Sequence, residues 1–114
     1  MNALVRPLGV ILGLALLAAG AAGFFMKPMP ILSVNMLHNV VHLASGALAL
    51  IAVAASYGAS RLYLLVFGLI YAAVAAAGFA KIDQVVTLLQ LNPPDNFLHA
   101  AIAAVCLIVG FGSR

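Results

Sequence analysis

The sequence predicts an all-α integral membrane protein: a four-transmembrane-helix up-down bundle built from two repeated helical hairpins. Three observations carry this expectation. The 114 residues are 67% hydrophobic and 6% charged, with a mean hydropathy of +1.26. A soluble domain of this length exposes too much of its surface to hide so many apolar side chains, so most of them face lipid. Four apolar runs approach the roughly 20 residues that cross a hydrocarbon core. Finally, one polar motif occurs twice, each time at the start of a predicted span.

The first span is expected at about 8–26, between Arg6-Pro7 and Lys27-Pro28. Its late small residues, Ala18 to Gly23, imitate a signal-peptide cleavage region, but the run is long for a signal peptide and reads as a retained span. Gly9 and Gly13 form a small-x-x-x-small pair, which Gly20 and Gly23 extend as a face for close helix packing. Pro28 and Pro30 exclude a continuous helix through the following connection, and Ser33 is placed to cap the second span, about 34–57. Tyr57-Gly58-Ala59-Ser60 reads as a tight turn into an antiparallel third span at about 61–80, with Gly68, Ala72 and Ala76 on a small-residue face.

The stretch at about 82–91 has a different pattern. Asp83, Thr87 and Gln90 fall opposite Ile82, Val85, Val86 and Leu89, which predicts a short amphipathic segment at the membrane surface or an extension of the third span. Asn92-Pro93-Pro94-Asp95 then reads as a helix start: a cap, prolines in the first turn and a carboxylate beside free N–H groups. The fourth span is expected at about 93–112. The whole of 1–114 is read as a single membrane domain.

The repeated motif is Asn-x-x-His. It occurs at Asn39 and His42 and again 57 residues later at Asn96 and His99, with His38 matching Asp95. These six residues include all three histidines of the chain and one of its two carboxylates. Asn35, His38, Asn39, His42 and Ser45 recur at three- and four-residue steps and therefore share one helical face. Spans two and four run in the same direction, which puts both motifs at one side of the membrane. At 1.5 Å per residue both histidines lie roughly 9–12 Å along their helices. Diagonal helices of a bundle stand roughly 11–14 Å apart, close enough for inward-pointing imidazoles to meet.

Arg6, Arg61 and Arg114 fall on one side of this arrangement, and Lys27, Lys81, Asp83 and Asp95 on the other. The positive-inside rule then places both termini in the cytoplasm and the motifs near the outer surface. No cluster of the five basic residues exists to neutralise a row of phosphates, which excludes nucleic-acid binding. The single cysteine, Cys106, permits no intrachain disulfide and reads as a small buried hydrophobe.

His38-Asn39-x-x-His42-Leu43-x-x-Gly46 and Asn92-Pro93-x-Asp95-Asn96-x-Leu98-His99 resemble the motifs of a family of small prokaryotic four-span membrane proteins of unknown function. The resemblance covers most of the chain from Pro30 to Gly110. It departs from the pattern at Ala103, where a glycine is expected. It implies the four-span fold and a multi-pass location in a prokaryotic inner or internal membrane, and no activity.

The six motif residues admit two main roles. As a polar core, Asn39, His42, Asn96 and His99 would hydrogen-bond across the bundle and fix helix register, each bond contributing about 0.6–2 kcal/mol, with His38 and Asp95 paired at the motif's mouth. On this reading the protein has a structural or accessory role and no cofactor, packing against a larger membrane complex or against copies of itself. The alternative is a metal-, haem- or pigment-binding protein. His38 and His42 are spaced i, i+4, as are Asp95 and His99, and three imidazoles with one carboxylate form an acceptable zinc or iron set. Haem or a chlorophyll-type pigment would use His42 and His99 alone. Proton movement lacks carriers deep in the spans beyond Tyr71, Ser45 and Cys106. An enzyme is not expected: Ser45 beside His42 has no orienting acid, and no phosphate-binding loop is present. The sequence reading favours the structural role.

Overall fold

A computed structural model describes residues 1–25, 36–89 and 93–114. Among them run five helices and no strand: α1 (Asn2–Phe25), α2 (Met36–Ala55), α3 (Tyr57–Phe79), α4 (Asp83–Leu89) and α5 (Pro93–Gly112). All but α4 are long and apolar enough to cross a membrane. Side chains such as Ile11, Leu14, Ile51, Leu69 and Ile108 stand outward on these four helices, each more than half exposed. In water that surface would be prohibitive; in a bilayer it is the lipid-facing surface. The chain is a small multi-pass membrane protein.

Three boundaries differ from the sequence expectation. α1 begins at Asn2 and carries Pro7 inside it. The proline forfeits only its own bond to the Ala3 carbonyl, close to the helix end, where water or headgroups can replace it. The turn between α2 and α3 is a single residue, Ser56, and Tyr57–Ser60 belongs to the first turn of α3. Ser56 is extended (φ −172°, ψ 166°), and its hydroxyl accepts the Ala59 N–H at 2.9 Å as the helix cap. At its other end α3 closes with the Lys81 N–H on the Gly78 carbonyl (3.2 Å) and the Ile82 N–H on the Ala77 carbonyl (3.0 Å). This is a Schellman motif with Lys81 (φ 56°) in the left-handed position that glycine usually fills. The expected caps at Ser33 and Asn92, and the connection at 27–33, lie outside the described residues.

α1 packs along α2, and α3 along α5, as two antiparallel pairs. The tightest approach is between α1 and α2, where a Cβ on Gly46 would come within 2.7 Å of the Gly13 carbonyl oxygen. α1 and α3 also touch, whereas α2 and α5 nowhere come within 8 Å by Cα among the described residues. The interior is divided by polarity. Toward the termini it is apolar, built on Val5, Leu12, Ala49, Leu64, Cys106 and Val109. That end is tied by Arg61 Nε donating to Ser113 Oγ (3.0 Å) and the Arg114 N–H donating to Asn2 Oδ1 (2.9 Å). Toward α4 the buried side chains are the polar motif residues.

Candidate metal centre

His38, Asn39 and His42 occupy the first two turns of α2, and Asp95, Asn96 and His99 those of α5. All six are buried, none more than 7% exposed. Helical spacing aims them inward from two helices whose backbones stay apart, so the side chains bridge the gap. The ring centroids of His38 and His42 are 4.4 Å apart, those of His38 and His99 5.5 Å, and those of His42 and His99 6.2 Å. One ring nitrogen from each of the three histidines lies within 4.8 Å of the other two. Asp95 stands outside this set, close enough to His38 to interact with it electrostatically. It is 1% exposed, so it sits in the interior and not at the motif's mouth. Of the four metal-ligand candidates, the fold therefore groups the three histidines.

The hydrogen bonds fix part of the chemistry. Nδ1 of His38 lies 3.0 Å from the Leu89 carbonyl oxygen of α4. A carbonyl only accepts, so Nδ1 carries the proton and, in the neutral ring, Nε2 carries the lone pair. Such a bond to a backbone carbonyl is the usual way a metal-binding imidazole is held in one tautomer and orientation. Nδ1 of His42 and Nδ1 of His99 are buried with no hydrogen-bond partner among the described residues, as are both amide atoms of Asn39 and the Oδ1 of Asn96. Hydrogen bonds among the described residues therefore leave these groups unsatisfied.

Each motif asparagine is seated against a glycine of the neighbouring helix. A Cβ on Gly23 of α1 would overlap the Asn39 amide, and a Cβ on Gly78 of α3 would overlap the Asn96 amide. The sequence signal for this pair is Ala-Ala-Gly-Phe, present at 21–24 and at 76–79, 55 residues apart. Tyr71 is a second residue whose place beside the site sequence reasoning missed. Its ring lies 5.5 Å from that of His99, and its buried hydroxyl points toward Ser45 without reaching hydrogen-bond geometry. The third is Leu89, which enters through its backbone carbonyl and so leaves no side-chain signature.

Residues 6–112 match the family described as Domain of unknown function (DUF4383). The chain belongs to that family. The match takes in all four long helices except the first four residues of α1, and all six motif residues, so the triad lies within the DUF4383 domain of this chain. Comparison with curated proteins and with solved structures gives no match.

Proposed function

We propose that this DUF4383 protein binds one first-row transition metal ion inside the membrane, through His38, His42 and His99. The observation that carries the reading is the convergence of three buried imidazoles from two helices whose Cα atoms stay more than 8 Å apart, two of them with a ring nitrogen lacking a hydrogen-bond partner among the described residues. Buried polar groups ordinarily find partners, and one left without costs about 1–3 kcal/mol. A single cation answers the lone pairs of all three rings. Imidazole suits zinc, copper, iron and nickel, and three histidines with an open position are a familiar zinc arrangement. A tetrahedral ion about 2.0–2.1 Å from each nitrogen sets those nitrogens about 3.3 Å apart. From the observed 4.8 Å limit, small side-chain rotations close the site. A haem or pigment macrocycle needs a pocket of about 300 Å³ or more, and the cavity beside the triad holds about 60 Å³.

The chain is read as two related hairpins, α1–α2 and α3–α5, each with a glycine seating a motif asparagine. With Arg6, Arg61 and Arg114 on the cytoplasmic side, the metal site faces the outer leaflet of a prokaryotic membrane. The role is binding and not catalysis. An accessory role would need small-residue faces left open to a partner. In the fold Gly13, Gly20, Gly46 and Gly68 pack against neighbouring helices of the same bundle, which favours the metal reading over an accessory one.

The test is metal analysis of the full chain purified in mild detergent without chelator, followed by titration with Zn(II) and Co(II). One ion per chain is expected, with visible Co(II) bands of a low-coordinate nitrogen site. His42→Ala and His99→Ala should lose both while keeping helical circular dichroism. No metal as isolated and no uptake on titration sinks the proposal.

A further inference from the structure

Three imidazoles converge on one point, and their surroundings supply no fourth ligand. A cavity of about 60 Å³ adjoins all three histidines, but the surface it presents is apolar and no ring nitrogen faces it. Val41, Phe67, Ile70 and Val74 form much of its wall. Such a cavity stays dry, because a buried water needs about three polar partners. It holds neither a water nor an anion for the ion. The Tyr71 hydroxyl lies against Ser45. Asp95 stands outside the group of ligand atoms, and Cys106 belongs to the apolar cluster toward the termini. Among the described residues the three imidazoles are the whole ligand set.

Ions differ in how well they meet that condition. Zn(II) is almost always four-coordinate in proteins and adds a water where only three side chains bind it. Cu(II) takes tetragonal sets of nitrogen and oxygen. Either ion keeps both its charges among three neutral rings, and unbalanced charge in an apolar interior is costly. Cu(I) has a filled d shell, accepts three ligands in a plane and carries a single charge. The Asp95 carboxylate, which interacts electrostatically with His38, balances that one charge and leaves a divalent ion one short. Imidazole is among the ligands that suit copper.

Resting on the metal-binding reading, we infer that the triad holds copper as Cu(I), three-coordinate through His38, His42 and His99, with the apolar cavity denying it a fourth ligand. Divalent ions enter the same triad more weakly. Binding transfers no electron: the copper binds already reduced, and the dry wall withholds the extra oxygen ligands that Cu(II) needs.

The experiment uses the full chain in detergent under nitrogen. Cu(I) is added as its acetonitrile complex, and its affinity is read by competition with a chromophoric Cu(I) chelator. Zn(II) affinity is read against a zinc chelator in the same buffer. One Cu(I) per chain is expected, bound at least about tenfold more tightly than Zn(II), a gap of about 1.4 kcal/mol. X-ray absorption of the copper-loaded chain should fit three nitrogen ligands and no fourth, and His99→Ala should lose the ion. Zn(II) bound as tightly as Cu(I) overturns this inference and leaves the metal site standing. So does a fourth nitrogen or oxygen ligand on the copper. Uptake of neither ion overturns the metal reading, and the inference with it.

Discussion

His42 on α2 and His99 on α5 face each other with ring centroids 6.2 Å apart, although their helices never approach within 8 Å by Cα. With His38, whose ring lies 5.5 Å from that of His99, they bring α2 and α5 together across this diagonal of the bundle. An ion between them would act as a cross-link present only in the folded state, so it should stabilise the fold by mass action. At a free Zn(II) concentration 100 times its Kd, the stabilisation is about 2.7 kcal/mol. Thermal unfolding in detergent, with and without zinc, should show a rise in midpoint for the unaltered chain. His42→Asn should abolish the rise, because an amide can restore hydrogen bonds but is a poor ligand for such an ion. A persistent rise in His42→Asn would return the cluster to a purely structural role.

The asparagine seats predict an asymmetry among glycines. Gly23→Ala and Gly78→Ala each drive a methyl into a buried amide, and overpacking of this kind costs about 1–3 kcal/mol. Gly58, in the first turn of α3, is open: the nearest atom to its added Cβ is Ser56 Oγ at 3.9 Å. Gly58→Ala should therefore stabilise by about 0.4–1 kcal/mol through the unfolded chain's lost freedom. Equilibrium unfolding in mixed micelles reads all three. Equal effects at the three positions would refute the seating.

Much of this was legible because the bilayer simplifies the code. Apolar runs of span length located four long helices, and the three- and four-residue recurrence of His38, His42 and Ser45 placed them on the inward face of α2. Boundaries were less legible. Arg6-Pro7 looks like a break, yet a proline near a helix end loses only one bond. Ser56 carries its capping role alone, while the glycine at 58 draws the eye to a longer turn. Least legible were contacts made by backbone or by absence of a side chain: the Leu89 carbonyl that orients His38, and the glycines that admit Asn39 and Asn96.

Tyr63 and Tyr71 sit two turns apart on α3 and should behave differently. The Tyr63 hydroxyl donates to the Ser45 carbonyl at 2.8 Å, linking α3 to α2. Tyr63→Phe should cost about 0.5–1.5 kcal/mol of unfolding free energy. It should leave metal stoichiometry unchanged, since the hydroxyl reaches backbone and not the triad. Loss of metal in Tyr63→Phe would mean that helix spacing, and not the ring nitrogens alone, limits the site.

Lys81 holds a left-handed backbone conformation (φ 56°) where a side chain costs about 1–2 kcal/mol relative to glycine. Its charge near the C-terminus of α3 recovers part of that through the helix dipole, about 0.3–1 kcal/mol. The balance favours Lys81→Gly by about 0.5–1 kcal/mol. The residue joins α3 to α4, and α4 carries the Leu89 carbonyl that holds the His38 ring. A more stable joint should therefore slow amide exchange across Asp83–Leu89. It should also tighten metal binding slightly, by keeping the His38 tautomer in place. Hydrogen–deuterium exchange by mass spectrometry checks the first effect and Zn(II) titration the second. Faster exchange in Lys81→Gly would show that the lysine side chain, and not the backbone turn, secures α4.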